Sequence, residues 1–339
     1  MPLDLNYKIN IGSQCAGGKD DDRLMVSLTT ELGMDCGFGY SVIELADEKY
    51  TLPSPGDQVT IELGDGLTKV FTGEVETVET IKAGQRITAY DATSKLAGTE
   101  IETTYKEVSI DEIVSDLISE VGLKAGVLEK SARVPSFTIF KGPRVFQHIQ
   151  KLAKMSGMDL FSNGEGLLNF AGPKTKGKNH TFEYGLNILE LNVKNINPFH
   201  DGIEITGEGS AGTKGADKYY WLPDDLSGIK GVAAVDEKGK TTPGKSVKTS
   251  TCEVLPAFRS GEAVEKIAES RMDAKASLRI RGYLKIYGYP EVMPGDTASI
   301  KKLPENHITS FFNSGGNLRI RNVKHLYNLQ NGFITRMDF

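Results

Sequence analysis

The chain has 339 residues, with 40 Lys and Arg against 45 Asp and Glu, a formal net charge of −5. Hydrophobic content of 39% and charged content of 25% describe an ordinary globular chain and exclude a disordered one. No run approaches the 18 or so apolar residues of a membrane-spanning helix, and no cluster of Lys and Arg recruits a nucleic-acid backbone. The Met1-Pro2-Leu3-Asp4 start has neither a basic nor an apolar segment, so a secretory signal is not expected. Cys15, Cys36 and Cys252 show no C-x-x-C pairing and read as free thiols of a reducing cytoplasm. The 37 glycines against 13 prolines sit in short loops between alternating segments, which favours many strands and turns.

Residues 1–105 alternate apolar and polar positions, as in Tyr7-Ile9-Ile11, Val59-Ile61-Leu63 and Val70 through Val78. Short strands at this spacing predict a β-barrel or sandwich, read as the first β-barrel of the chain. The period then changes. Ser109 and Glu112 form a capping box ahead of Ile110, Ile113, Val114, Leu117, Ile118 and Val121, which predicts a helix ended by Gly122. A second helix is expected from Pro143 at its first position to Ser156-Gly157, followed by a hairpin turned at Asn163-Gly164. Residues 106–173 thus read as an α+β domain of two helices and a hairpin. Residues 174–339 read as a second β-barrel, with a loop insertion at about 207–250 that has little core of its own. A helix from Gly261 to about Ala276, capped by Ser260, precedes the last strands. The expected fold is mainly β with an α+β insert: two tube-like β-barrels flanking a small α+β domain.

One motif recurs. Pro55-Gly56-Asp57 and Pro294-Gly295-Asp296 each open an alternating strand, with Ile61 and Ile300 four residues on. Val75 through Gly84 lies on Val323 through Gly332 without a gap, pairing Val78 with Leu326, and Arg86-Ile87-Thr88 matches Phe333-Ile334-Thr335. Pro-Gly pairs are common turn chemistry, so two unrelated hairpins are the plain alternative. The order of turn, strand, hairpin and strand favours an internal duplication. A duplicated barrel repeated threefold presents six barrels about one axis, joining a six-fold partner to a three-fold one.

Three stretches carry a family resemblance: Val70-Phe71-Thr72-Gly73-Glu74-Val75 with Ile87–Ala92; Val145 through Ala153 with the Asn163-Gly164 hairpin; and Ala263–Ala276 running through Gly288-Tyr289-Pro290 to Asp296. In them the chain resembles the baseplate hub family of contractile tails, the phage late-control protein D and VgrG-like hubs. The resemblance implies a structural homotrimer adapting a hexameric tail tube protein to a trimeric spike protein. It also implies contact with other baseplate proteins and a channel passed by the tape-measure protein and by DNA in transit. The implied location is the virion tail baseplate, or an equivalent injection particle, assembled in the host cytoplasm. VgrG-like members continue into a fused spike and this sequence stops at Phe339, so the spike is expected on a separate polypeptide of a phage tail or phage-derived bacteriocin.

No cofactor, metal or catalytic site is expected. Gly207-Glu208-Gly209-Ser210-Ala211-Gly212 matches G-x-G-x-x-G, but no amphipathic period follows it to supply the helix a dinucleotide needs. Asp20-Asp21-Asp22 cannot all face one ion, and His148, His180, His200, His307 and His325 lack ligand spacing. The Lys238, Lys240, Lys245 and Lys248 stretch reads as a solvated loop, with contact to an acidic neighbour or DNA as the functional alternative. A hub lumen is expected to show few exposed cations. The rival reading is an all-β carbohydrate-binding or adhesin module at a tail tip, for which Tyr219-Tyr220-Trp221 is the aromatic platform.

Overall fold

A computed structural model of the chain describes residues 5–17, 24–46, 52–82, 84–196, 200–208, 229–236, 239–304 and 317–339. The fold is mainly β with an α+β insert. The first unit consists of β1 (Tyr7–Ile11), β2 (Gln14–Ala16), β3 (Leu24–Gly33), β4 (Tyr40–Ala46), β5 (Gln58–Leu63), β6 (Thr68–Ile81) and β7 (Gly84–Asp91). Period-2 alternation sends Ile9, Ile43, Val59, Ile61 and Ile87 into one core, each removed from water almost completely. Burying one such side chain contributes about 1.5–3 kcal/mol before the entropy of ordering it is counted.

After the short helix α1 (Thr93–Gly98) come β8 (Thr103–Ser109), α2 (Ile110–Glu120), β9 (Ala125–Leu128), β10 (Arg133–Ile139), α3 (Val145–Ser156), β11 (Asp159–Ser162) and β12 (Leu168–Ala171). The capping box at Ser109 and Glu112 is present, and Gly122 takes a positive φ just past the helix. The second helix starts later than its proline suggested. Arg144 is its N-cap and Gln147 reaches back to the Arg144 N–H, so Pro143 lies outside it.

The remaining elements are β13 (Asn179–Glu183), β14 (Ile188–Asn195), β15 (Gly202–Thr206), β16 (Lys230–Val235), β17 (Thr241–Pro243), β18 (Ser250–Val254), α4 (Gly261–Ser277), β19 (Ile280–Tyr287), β20 (Thr297–Lys301), β21 (Leu318–Arg319), β22 (Asn322–Asn328) and β23 (Gly332–Asp338). The stretch read as a coreless loop insertion differs from that expectation. β16, β17 and β18 join β15 in a four-stranded sheet. Ile203, Ile205, Ala233 and Val235 pack with Val264, Ile267 and Met272 of α4, in one core with Ile113, Leu117, Ile149 and Leu152 of the two earlier helices. Gly231 makes this packing close: a Cβ there would meet the Val264 carbonyl oxygen at 2.2 Å.

A third core gathers Leu284, Ile286, Val292, Ile300, Ile320, Val323 and Met337. The two β units are not separate sheets. β3 pairs antiparallel with β22 from Gly33↔Asn322 to Ser27↔Asn328, and Phe333 of β23 packs within the first unit's core. One sheet therefore runs β14-β19-β23-β22-β3-β4-β7-β6 and continues through β5 to β1 and β2.

Candidate functional site

The Pro-Gly-Asp triplets form two turns with the same bonding. Gly56 and Gly295 take φ of +93° and +92°, the left-handed value a type II turn requires at its third residue. Asp57 accepts the Ser54 N–H at 2.9 Å, and Asp296 accepts the Met293 N–H at 3.0 Å. Each turn is also tied to a neighbouring strand by two backbone bonds of 2.8 Å: Gly56 N–H to Val75 O and Val75 N–H to Asp57 O, then Gly295 N–H to Ile320 O and Ile320 N–H to Asp296 O. The surroundings differ. Asp296 is buried, 2.9 Å from His180 Nε2, and accepts the Lys178 N–H at 2.8 Å.

The geometry corrects the gapless alignment. The residue bonded to the first turn is Val75 and its counterpart is Ile320, not Val323. In the hairpins, Val78 pairs with Ile87 toward the first core. Leu326 pairs with Ile334 on the opposite face, and Tyr327 with Phe333 occupies the core-facing rung. A slip of one residue moves a side chain to the other face, and the sequence match is out by one on these hairpin rungs, although Val75 and Val323 both face a core.

Strand by strand the two units correspond: β6-β7-β4-β3 in the first, β22-β23-β19-β14 in the second. Their joint inside one chain is β3 on β22, where Glu31 meets Lys324 at 3.1 Å. The corresponding edges are open. β14 pairs only with β19, and β6 beyond Glu74 pairs only with β7, among the described residues. Leu186 and Leu189, at the start of the β14 edge, are 72% and 40% exposed. An unpaired, partly apolar strand edge is a template for another strand.

Below this wall, Arg321 binds Asp35 through two nitrogens at 2.7 and 2.8 Å and Asp159 at 3.0 Å. Arg319 donates to Asp159 at 2.8 Å and to the Ala171 carbonyl at 3.2 Å. This clasp ties the β3–β4 loop, the second barrel's strand and the α+β domain together. In the sequence it was hidden, since Leu318-Arg319-Ile320-Arg321 reads as an ordinary alternating strand with a solvated face.

Other sequence candidates resolve differently. His148 packs edge-on to Phe140, and buried His325 lies 3.0 Å from the Thr335 hydroxyl. No group of three His, Cys, Asp or Glu is placed to hold a metal ion among the described residues. Cys15, Cys36 and Cys252 are free thiols. Gly207 bonds to the Ile229 carbonyl and Glu208 to Arg259, holding that end of the glycine motif onto the four-stranded sheet. Lys240, Lys245 and Lys248 are exposed around β17. The remainder of the glycine motif, Asp20-Asp21-Asp22, Tyr219-Tyr220-Trp221, Lys238 and His307 lie outside the described residues.

No family model and no curated protein matches the chain. Solved structures do. The 43 kDa tail protein of prophage MuSo2 from Shewanella oneidensis is 13% identical, with a TM-score of 0.67 over 98% of this chain and 97% of that one. A tail protein from Neisseria meningitidis MC58 is 10% identical, with a TM-score of 0.64 over 98% and 95%. The E. coli c3393 protein, a type VI secretion component described as structurally similar to the bacteriophage T4 tail proteins gp27 and gp5, is 10% identical, with a TM-score of 0.58 over 98% and 76%. Over nearly its whole length, the chain is similar in fold to these tail and secretion-system proteins.

Proposed function

We propose that the chain is the structural hub of a contractile-tail baseplate, a homotrimer that adapts a hexameric tail tube protein to a trimeric spike protein. The observation carrying this reading is the correspondence between the closed joint and the open edges. If β3 on β22 is the natural contact between one barrel unit and the next, then β14 of one chain should take β6 of a second chain in the same way. Three chains then close an eight-strand wall into a tube of six alternating units. The Pro-Gly-Asp turns (Pro55, Gly56, Asp57 and Pro294, Gly295, Asp296) mark the two copies of that unit. In this reading residues 1–105 and 174–339 carry the barrels. Residues 106–173, with the four-stranded sheet and α4, form one outer α/β layer.

The fold shared with tail proteins supports a role within a tail or related injection particle, beside other baseplate proteins. The function is mechanical and no catalysis is assigned to the chain. The tube's channel would pass the tape-measure protein and DNA in transit. Light scattering followed by electron-microscope class averages of the purified protein tests the reading. A trimeric ring with an apparently six-fold inner wall is expected. A ring of other symmetry, or a monomer at every concentration with the tube and spike proteins present, would remove it.

A further inference from the structure

The wall has a second face, turned away from all three cores, and its charges are arranged in rows. One row crosses every strand at matched register. In the first unit it runs Glu74, Tyr90, Tyr40 and Glu31, and in the second it continues as Lys324, Arg336, Lys285 and Glu190. A second row runs Glu79, Arg86, Glu44 and Ser27.

The cations in these rows are held by carboxylates on the same face. Arg86 bonds to Glu44 at 2.8 Å and lies 3.4 Å from Glu79. Lys324 lies 3.1 Å from Glu31, whose other contact is the Tyr40 hydroxyl. Lys285 is 2.9 Å from Glu190, and Arg336 is 2.7 Å from Asp338 while its guanidinium covers the Tyr283 ring at 4.2 Å. Arg281 and Lys194 stand opposite each other at the β14 corner, and the charge of Arg281 bears on the Asp35 carboxylate. The wall is thus not poor in cations; it is rich in cations that are already partnered.

A polyanion is retained where fixed cations displace its counterions, and retention grows with each phosphate neutralised. A cation committed to a carboxylate a strand away adds no net charge for a phosphate. We propose that this face is a charge-cancelled surface along which double-stranded DNA passes without being held, an inference that rests on the ring reading above. Cancellation matters for a polyanionic cargo and is indifferent to a polypeptide one, so the pattern favours DNA.

The probe is a fluorescent DNA duplex, with anisotropy read at about 50 mM and about 200 mM salt. The wild-type protein is expected to show no saturable binding at either. The variant Glu31→Gln/Glu44→Gln/Glu190→Gln keeps each partner's shape and leaves Lys324, Arg86 and Lys285 with net charge. It is expected to bind the duplex roughly tenfold or more tightly than wild type, with affinity falling by a log–log slope of about −0.9 per phosphate contacted. A control with the same change in net charge on the exposed α+β surface, Glu102→Gln/Glu107→Gln/Glu120→Gln, is expected to stay unbound. Saturable wild-type binding, no gain in the first variant, or an equal gain in the control each overturns the proposal. Light scattering on the same samples separates the two ideas: a monomer that gains binding only in the first variant retires the ring and keeps the charge cancellation.

Discussion

Asp57 and Asp296 hold the same position in two turns of identical bonding, yet one is a surface brace and the other a buried one. Removing the carboxylate should therefore cost different amounts. Asp57→Ala loses one hydrogen bond, about 1 kcal/mol. Asp296→Ala also strands the Lys178 N–H and His180, about 2–4 kcal/mol. Urea midpoints at constant m-value check the ordering, and equal losses would contradict it. Gly295→Ala adds strain at a positive φ, with the new Cβ 3.1 Å from the Phe161 ring, and should cost at least about 1 kcal/mol.

Arg321 is the second lever. Two carboxylates from different parts of the chain depend on it, and both hold it firmly in the charged form despite its burial. Arg321→Ala leaves Asp159 facing Arg319 alone and frees Asp35, with an expected loss of about 2–4 kcal/mol. Arg321→Lys should recover only part of it, because one ammonium cannot span both carboxylates as the planar fork does. Calorimetry should show the α+β layer melting ahead of the barrels in the alanine variant.

Acid should act through His325. Burial pushes its imidazole down to about 3, from an ordinary value of 6.5. The unfolded chain therefore binds a proton below pH 6.5 that the folded chain refuses. This contribution is complete above pH 6.5 and is lost as pH falls from there toward 3, at up to about 1.4 kcal/mol per unit. His325→Asn should flatten the stability profile across that window in denaturant titrations.

The ring itself predicts a charge effect. At the joint within the chain Glu31 faces Lys324, and the same register at the open joint would set Glu190 on β14 against Glu74 on the next chain's β6. Glu74→Lys should lower the trimer's dissociation midpoint up to about tenfold, since three rim pairs contribute up to about 1 kcal/mol each. Adding Glu190→Lys should restore the like-charge contact and cancel the gain. Sedimentation equilibrium reads both.

The strands and helices announced themselves through period and caps: Ser109 with Glu112, Ser260 and Gly157 sit where local chemistry puts them. The two Pro-Gly-Asp turns were also visible, because a positive φ favours glycine at Gly56 and Gly295. What sequence concealed was long-range. Lys230–Val235 and Ser250–Val254 lie in Gly- and Lys-rich surroundings that mimic loops, and only α4 laid across them makes strands worthwhile. The hairpins were matched one residue out of phase because Leu326 and Ile334 are apolar without facing the core. Likewise, nothing local marks Arg319 and Arg321 as buried, since their carboxylates come from residues 35 and 159.

Phe333 filling the first unit's core gives the molecule a particular order of construction. Strand β3 waits for β22, about three hundred residues later by the register Ser27↔Asn328, before that side of its sheet is paired. Pairings this distant in sequence are slow to form, because the loop entropy is spent before the contacts repay it. A nascent chain can form its early helices as it emerges, but its opening barrel must stand unsealed until the β22–β23 hairpin leaves the ribosome. Closure of the first unit is thus timed by a hairpin made long after it.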